Sequence, residues 1–374
     1  MTKALPRPTV IKNGERGRSV VFNGRFLKSP QSGVQRVAGR LILAVDEMLS
    51  GRADPANVSV FTPPGAPALP LQAILSKTIG HRGGQIWEQM ALPVAASGSA
   101  LINLCNAAPL LADSHLTMIH DAQVFESPGS YSRAFAAWYR FSLPRIATRT
   151  RRVLTVSNYS KNKLVEYGVA DADHIAVIPN GVDHMLQTAP DPDALARLGL
   201  APHRYVVLFG AYQAHKNLDF ALRLFAMGAL GDVKLVVVGA VDWTEVKARY
   251  DLDPVPSVLF AGRQTDAEIR SLLESAAFMI CPSTTEGFGL PPMEAMILGC
   301  PAIVSRAGAL PEVCGDAALY AEVGDADGWR HAITTLWNDG PDPTRRDRAR
   351  HRAGEFTWRR AAERLWTLVE TPNA

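Results

Sequence analysis

Two glutamates near the carboxyl end of the chain, Glu286 and Glu294, are the side chains best suited to chemistry. They stand eight positions apart and bracket a glycine-rich segment made of Gly287, Phe288, Gly289 and Leu290. The two prolines that follow predict a helix start, because proline is tolerated in a first helical turn. Glycines let backbone amides approach a ligand, and the positive end of the helix dipole favours an anion. Carboxylates beside an anion site suit hydroxyl groups, so the pattern predicts a ligand with both phosphate and sugar.

Lys216 is a second candidate for binding an anion. It follows the predicted strand Tyr205–Phe209 and a turn that begins at Gly210, and it precedes a predicted helix. A lysine at a strand-to-helix junction places a cation beside a dipole that already favours anions. The alternative is a solvated lysine, which is disfavoured because a cation is unfavourable at this end of a helix. We therefore expect Lys216 to bind phosphate.

Two further candidates lie in the first half of the chain. Gly33 opens the first long predicted helix, either as a structural turn or as a loop whose N–H reaches a cleft. His120 ends the predicted strand Leu116–His120. There its ring would donate to a sugar hydroxyl or a backbone carbonyl, and a local cap with Asp121 is the alternative. No second ligand stands at a spacing suited to a metal, so no metal is expected.

Short β-branched runs alternate with helical patterns along the chain, which predicts parallel sheets covered by helices. In the first half, the predicted strands are Ser19–Phe26, Val58–Thr62, Leu101–Leu104, Leu116–His120, Val153–Ser157 and Ile175–Pro179. The series pauses in the polar stretch 188–193 and restarts at Tyr205. A chain of 374 residues also exceeds one ordinary core.

The sequence therefore predicts an α/β fold of two doubly wound, Rossmann-like domains that face a central cleft. Residues 1–185 would form the first domain and residues 186–356 the second. The last helical run, within 357–374, would stay in the second domain or cross back to the first. Ligands of such sheets bind at the carboxyl ends of the strands, which places the site in the cleft.

The composition is that of a globular protein and excludes several classes. Apolar residues make up 47% of the chain and charged residues 20%. No apolar run approaches the ~18–20 residues that span a bilayer. The first 20 residues lack an apolar signal core, so we expect a cytoplasmic protein. The four cysteines form no Cys-x-x-Cys pair, which favours reduced thiols over structural zinc.

Basic side chains are concentrated between residues 132 and 152. This stretch holds six arginines and no acid, interleaved with Phe135, Trp138, Tyr139 and Phe141. One interpretation is a segment that lies on an anionic membrane, which would make the protein peripheral on the inner face of the plasma membrane. The other, more ordinary one is a surface helix that packs its aromatic side chains inward and solvates its arginines.

The chain resembles the retaining glycosyltransferases of family 4, which have the GT-B fold, over nearly its whole length. The matching elements are Glu286-Gly-Phe-Gly-Leu-Pro-x-x-Glu294-Ala-Met, Gly299-Cys-Pro301, Leu310-Pro-Glu312, Lys216-Asn217, Ile119-His120-Asp121 and Val177-Ile-Pro-Asn-Gly-Val-Asp183. The resemblance implies transfer of a sugar from a nucleoside-diphosphate sugar to an acceptor hydroxyl, with retention at the anomeric carbon.

The same resemblance implies roles for the candidates in the second half. Glu294 would bind the ribose hydroxyls and Glu286 the hydroxyls of the donor sugar. Lys216 and the amides of Gly287–Leu290 would hold the diphosphate, with Gly210 beside them in the donor site. No cofactor and no divalent metal would be needed, because the lysine and the helix dipole neutralise the leaving group.

In the first domain, His120 would contact the sugar from across the cleft, and Gly33 would lie near the donor phosphate or the acceptor. One departure from the family stands out. Many relatives carry an arginine five residues before the lysine, where this chain has Ala211. A second cationic contact would then come from elsewhere, with Arg263 as one candidate, or be absent.

The opening segment resembles a more specific group within this family. Asn23-Gly-Arg-Phe-Leu-x-x-Pro30-x-Ser-Gly33-Val-Gln-Arg36 is similar to bacterial exopolysaccharide mannosyltransferases. These use GDP-mannose and extend a lipid-diphosphate-linked oligosaccharide, which implies those two substrates here and no nucleic-acid partner. Two other interpretations stay open: a non-hydrolysing nucleotide-sugar epimerase of the same fold, and a non-catalytic nucleotide-sugar binding protein.

Overall fold

The computed structural model describes residues 19–51, 57–228, 230–231 and 233–371. The remaining residues lie outside the described part, and they include residues 1–18 of the first predicted domain and residues 372–374 at the end of the last predicted helical run. A first sheet contains β1 Val20–Asn23, β2 Val58–Thr62, β3 Leu75–Thr78, β4 Ala100–Asn103, β5 Ser114–Met118, β6 Thr150–Thr155 and β7 Ile175–Val177. A second contains β8 Tyr205–Phe209, β9 Lys234–Val238, β10 Val258–Gly262, β11 Phe278–Cys281, β12 Ala302–Ser305 and β13 Leu319–Ala321.

Both sheets are parallel, in the orders β3-β2-β1-β4-β5-β6-β7 and β10-β9-β8-β11-β12-β13. In each, the chain starts near the middle, moves to one edge and then returns to build the other side. This order creates a switch point where ligands of such sheets bind. The prediction of two doubly wound α/β units is confirmed.

Helices connect the strands. In the first half they are α1 Gly33–Ser50, α2 Gly84–Ile86, α3 Leu92–Ala95, α4 Gln123–Glu126, α5 Arg133–Thr148 and α6 Asn158–Glu166. Two short helices, α7 His184–Gln187 and α8 Ala194–Arg197, lie between the sheets. The second half has α9 Leu218–Ala226, α10 Trp243–Tyr250, α11 Asp266–Glu274, α12 Leu290–Ile297, α13 Leu310–Cys314, α14 Ala326–Asp339, α15 Pro343–Gly354 and α16 Trp358–Glu370.

The strand β1 is shorter than the predicted Ser19–Phe26. It ends at Asn23, whose side chain accepts a hydrogen bond from the Arg25 N–H at 3.1 Å and begins a 3-10 turn over Gly24–Lys28. Gly24 permits this turn, because a Cβ there would lie 2.6 Å from the Phe61 carbonyl oxygen. The edge strand β3 was not predicted, since its four exposed residues lack the apolar pattern of a buried strand.

The C-terminal helix crosses back to the first sheet, where α16 packs against α1. The hydrogen bonds that hold the crossing include Val182 N–H to the Phe356 carbonyl at 2.9 Å and Trp358 N–H to Asp183 Oδ1 at 2.8 Å. Gly181 allows the close approach, because any Cβ there would overlap the backbone of Trp358. The boundary at residues 185 and 186 stays a prediction.

The helix α5 contains most of the basic, aromatic stretch, and its aromatic side chains do not all pack inward. Phe135, Trp138 and Phe141 are 41%, 40% and 47% exposed, whereas Tyr139 is half-buried. The guanidinium of Arg145 lies 3.6 Å from the centre of the Phe141 ring. The expectation that the aromatic side chains pack inward is therefore wrong for Phe135, Trp138 and Phe141, whereas a surface helix and a membrane-binding helix both remain predictions. Among the described helices, none combines the length and apolar character needed to cross a membrane.

The crossing can be tested with two glycine-to-alanine substitutions. Gly181→Ala introduces a methyl group where the Trp358 backbone lies, and overpacking of this kind costs about 1–3 kcal/mol or more. Gly354→Ala makes the same change in α15 where no atom lies within 4 Å of the new Cβ, and alanine suits a helix better than glycine. We expect a thermal midpoint several degrees lower for Gly181→Ala and no decrease for Gly354→Ala. Equal midpoints would contradict the described crossing.

Candidate functional site

The carboxyl ends of both sheets face one cleft with a volume of about 1130 Å³. This is large enough to hold a nucleotide joined to a sugar. All of the predicted site residues line it: Gly33, His120, Gly210, Lys216, Arg263, Glu286, Gly287, Phe288, Gly289, Leu290 and Glu294. Their individual roles remain predictions, but the structure places them around one common space.

The glycine segment and α12 form the floor of the cleft. The helix begins at Leu290, and prolines occupy the next two positions, as predicted. Gly289 caps it in the left-handed region at φ +89°, and a Cβ there would lie 2.6 Å from a Leu310 methyl group. No described group accepts a hydrogen bond from the amides of Gly287–Leu290. These amides and the positive end of the helix dipole are therefore suited to binding an anion.

Lys216 and Glu286 form an ion pair at the same end of the cleft. The ammonium Nζ lies 2.7 Å from Glu286 Oε1, and the Ser283 hydroxyl donates to the same oxygen at 2.8 Å. Lys216 ends a 3-10 turn, and the next residue, Asn217, takes the left-handed conformation at φ +55°. The side-chain Nδ2 of Asn217 donates to the Pro282 carbonyl at 3.0 Å, which connects the turn to the loop that carries Glu286.

Each member of this ion pair stabilises the charged form of the other. Burial acts to raise the pKa of Glu286, but the Lys216 cation and the Ser283 hydrogen bond outweigh it and hold that pKa below its ordinary value. Burial likewise acts to lower the pKa of Lys216, and Glu286 more than offsets this effect. Both side chains are therefore ionised at neutral pH. A cation for a phosphate and an anion for hydroxyl groups are held side by side.

Glu294 lies on α12, about one turn beyond the glycine segment, with only 7% of its surface exposed. Its Oε1 atom is buried and makes no well-directed hydrogen bond with any described group. His184 Nε2 lies 3.3 Å from that oxygen. A buried carboxylate oxygen without a partner is costly, so this atom is suited to a ligand that donates a hydrogen bond.

His120 forms one of the two contacts predicted for it. Its Nε2 lies 2.9 Å from the Leu104 carbonyl oxygen, to which it donates, so Nδ1 is left as an acceptor. Burial lowers the pKa of His120 to about 4, so the ring is neutral at physiological pH. The predicted sugar contact would then be made by Nδ1 accepting from a hydroxyl. The local cap also exists, since Asp121 Oδ1 accepts from the Gln123 N–H at 3.0 Å.

Three further candidates surround the anion site. Gly33 faces α12 from the other domain, and a Cβ at Gly33 would lie 3.7 Å from a Leu290 methyl group. Gly210 follows β8, where any Cβ would overlap the side chain of Val237. Arg263 follows β10 and lines the cleft without a hydrogen bond or ion pair to any described residue. It is therefore placed as the second cation would be, although that role stays a prediction.

Contacts between the domains include residues whose role the sequence did not reveal. Ser157 caps α6, and its hydroxyl and that of Ser160 also donate to the Gly287 carbonyl at 2.6 and 3.1 Å. Glu312, on α13, accepts hydrogen bonds from the backbone of Asn158 and Tyr159 at 2.9 Å. Serine and glutamate are common cap residues, so no sequence signal points to a partner in the other domain.

Asp121 also lies in this interface. Burial raises the pKa of its carboxyl to about 6, and the charges of Glu286 and Glu126 act in the same direction. Among the described residues, no group of three or more histidine, cysteine or carboxylate side chains is arranged to hold a metal ion. Independence from metals stays a prediction.

Comparison with known proteins identifies the architecture and the family. A family profile for glycosyl transferases group 1 matches residues 203–339, and one for glycosyltransferase family 4 matches residues 94–185. Together they cover more than half of the chain, one in each sheet region.

The chain belongs to glycosyltransferase family 4.

Curated relatives of this family include mannosyltransferases. The chain is 29% identical over 61% of its length to an O-antigen chain mannosyltransferase of Salmonella typhimurium. It is 26% identical over 65% to O-antigen chain mannosyltransferase B of Escherichia coli. It is 29% identical over 73% to an MMP alpha-(1->4)-mannosyltransferase of Mycolicibacterium hassiacum. The matched regions span 62%, 66% and 68% of these relatives.

Solved structures confirm the fold. A sucrose-phosphate synthase from Thermosynechococcus elongatus aligns with a TM-score of 0.71 at 19% identity, covering 94% of this chain and 98% of the other. WaaG, a glycosyltransferase involved in lipopolysaccharide biosynthesis, aligns with a TM-score of 0.67 at 14% identity, covering 94% and 99%. The predicted GT-B fold is confirmed, and so is the prediction of a glycosyltransferase at the level of the family.

The raised pKa of Asp121 predicts a pH-dependent stability. Its folded-state pKa of about 6 exceeds the ordinary 3.8, so the stability it provides is fully present below the ordinary value. That stability is lost as the pH rises through 6. Asp121→Asn mimics the protonated form and should raise the thermal midpoint more at about pH 7.5 than at about pH 4.5. The exposed Asp173→Asn serves as the control, and an equal change at both pH values in Asp121→Asn would contradict this assignment.

Proposed function

We propose that the protein is a retaining glycosyltransferase that moves mannose from GDP-mannose to a hydroxyl of a lipid-linked saccharide. One observation carries the proposal: Lys216, Glu286 and the unpaired amides of Gly287–Leu290 meet at the start of α12, with Glu294 about one turn further along the helix. This arrangement suits a ligand that joins a sugar, a diphosphate and a ribose in that order. The eight positions between Glu286 and Glu294 then separate the sugar contact from the ribose contact.

In the proposed complex, the diphosphate lies on the amides of the glycine segment and draws Lys216 away from Glu286. The carboxylate of Glu286 is then free to accept from the hydroxyls of the donor sugar. Glu294 Oε1, buried and unpaired in the described structure, accepts from a ribose hydroxyl. Arg263, which has no described partner, supplies the second positive charge that Ala211 does not provide.

Transfer breaks the bond between the anomeric carbon and the phosphate oxygen. The acceptor hydroxyl forms a new bond to that carbon from the same face, and its proton passes to the departing phosphate oxygen. Negative charge develops on the diphosphate, where Lys216 and the helix start are already in place to stabilise it. The hydrogen bonds of Ser157 and Ser160 with Gly287 join the two domains beside this site, and closure of the cleft around the donor would exclude water and limit its hydrolysis.

The choice of mannose and of a saccharide acceptor is supported by the relatives. The O-antigen enzymes and the MMP enzyme are mannosyltransferases by name, and the first two act on the O-antigen chain. The exposed aromatic side chains of α5 add a reason to place the acceptor near a membrane. Phe135, Trp138 and Phe141 lie on a helix that also carries Arg133 and Arg145 on its exposed surface, a composition suited to an anionic interface.

The donor is tested by incubating the protein with a panel of nucleotide sugars and a membrane lipid extract while nucleotide release and labelled lipid are followed. We expect transfer with GDP-mannose and a product that keeps the anomeric configuration of the donor. Transfer with another donor would replace mannose or GDP in the proposal. Failure of transfer with every donor would contradict the enzymatic function.

Substitutions separate the proposed roles. Lys216→Ala and Glu294→Ala should weaken donor binding by about 10- to 100-fold, because each removes a hydrogen bond to or from a charged group. Glu286→Ala should reduce turnover by about 100-fold or more, since it contacts the reacting sugar. Lys234→Ala, an exposed lysine in β9, is the control. Unchanged donor affinity in the first two variants, or normal turnover in the third, would remove those assignments.

Membrane binding is tested with vesicles that contain about one third phosphatidylglycerol. Arg133→Ser combined with Arg145→Ser and Trp138→Ala should reduce binding about tenfold or more, because each basic residue near an anionic surface contributes about 1 kcal/mol. Arg348→Ser with Arg364→Ser removes the same charge from exposed positions of α15 and α16. If both variants bind like the unmodified protein, α5 does not contact the membrane.

A further inference from the structure

His184 is buried completely at the start of α7, in the segment that joins the two sheets. The proposed reaction assigns it no role. Its two ring nitrogens nevertheless lie between the C-terminal crossing and the donor site. Nδ1 faces Trp358, the first residue of α16, and Nε2 faces Glu294 on α12.

Trp358 fixes the protonation of one side of the ring. Its indole Nε1–H lies 3.1 Å from His184 Nδ1. An indole nitrogen can only donate a hydrogen bond, so Nδ1 must accept. The neutral ring therefore carries its proton on Nε2, an assignment that follows from the chemistry of the partner.

Glu294 Oε1 lies 3.3 Å from Nε2, within reach of this proton, although the contact is longer and less well directed than an ordinary hydrogen bond. The Arg36 Nη1 atom also lies 3.3 Å from Nε2. Because a guanidinium can only donate, this contact is a hydrogen bond only in the other tautomer, and the shorter Trp358 contact at 3.1 Å favours the tautomer with the proton on Nε2. Arg36 also forms a bidentate ion pair with Asp266 across the cleft, with N–O distances of 2.7 and 2.9 Å. Glu294 Oε1 thus lies beside a neutral imidazole without a well-directed hydrogen bond, and it keeps its capacity to accept from a ligand.

The imidazole is held rigidly at its position. The Trp358 backbone N–H is bonded to Asp183, the residue before His184, and Gly181 packs directly against the same backbone. Both nitrogens of the ring therefore face groups on well-packed helices. A side chain fixed in this way can set the orientation of the carboxylate that it contacts.

We infer that His184 is a positioning residue that holds Glu294 in the orientation that accepts hydrogen bonds from the ribose of the donor nucleotide. The inference rests on the proposed function, in which Glu294 binds ribose. Trp358 contacts His184, which contacts Glu294, so the packing of α16 against the first domain is linked to the nucleotide site. Nucleotide affinity then depends on a side chain that does not itself touch the nucleotide.

The test compares GDP with 2′,3′-dideoxy-GDP by calorimetry, with UDP and 2′,3′-dideoxy-UDP measured in parallel. His184→Gln keeps an amide N–H near the position of Nε2. His184→Asn keeps an acceptor near the position of Nδ1, but its side chain is too short to place a donor near the position of Nε2. For the unmodified protein we expect the complete ribose to bind about tenfold or more tightly than the dideoxy form. This ratio should largely persist in His184→Gln and fall to about threefold or less in His184→Asn. The affinity for the dideoxy nucleotide should be similar in all three proteins, which also shows that they are folded.

The outcomes separate the inference from the function on which it rests. If the unmodified protein prefers the complete ribose and His184→Asn keeps the same ratio, His184 does not position Glu294 and the proposed function stands. A purely structural role would lower both affinities together and leave the ratio unchanged, which also overturns the inference. If the unmodified protein shows no preference, or binds neither nucleotide pair, the ribose role of Glu294 fails and the inference fails with it.

Discussion

The close approach of the two domains at Gly287 is the constraint on which the geometry of the cleft depends. Two hydroxyls of the first domain, from Ser157 and Ser160, donate to its carbonyl at 2.6 and 3.1 Å. A Cβ at this position would lie 2.9 Å from the Cβ of Asp121. The absence of a side chain therefore lets the start of α12 lie beside His120. With a larger residue the domains would separate, and the groups expected to hold one sugar would no longer face the same space.

The Lys216–Glu286 pair adds an electrostatic condition to this geometry. Removing one partner of a buried ion pair leaves the other uncompensated, at a cost of about 3–5 kcal/mol. A phosphate alone would take Lys216 and leave Glu286 without a cation, and a sugar alone would do the reverse. A ligand that carries both groups replaces the two contacts together. The pair thus favours a complete nucleotide sugar over its fragments.

Much of this arrangement could be predicted from the sequence, because the groups of the second domain are close along the chain. Glu286 and Glu294 belong to one loop and helix, and Lys216 stands at a recognisable strand-to-helix junction. The contacts between distant segments could not be predicted in the same way. The bond from Trp358 to His184 joins residues 174 positions apart, and the crossing of α16 depends on space at Gly181. The exposure of the aromatic side chains of α5 likewise could not be predicted. It depends on which face of the helix packs against the domain, and a sequence that mixes aromatic and basic residues does not determine that face.

The central claim is that a donor separates Lys216 from Glu286 and binds to both. The most direct measurement is a crystal structure of the protein with GDP-2-deoxy-2-fluoro-mannose, which reacts slowly. The account predicts Lys216 Nζ at about 3 Å from a diphosphate oxygen and a Glu286 oxygen at about 3 Å from a sugar hydroxyl, the ordinary hydrogen-bond distance. A complex in which the nucleotide is bound while Lys216 and Glu286 remain paired with each other would contradict it.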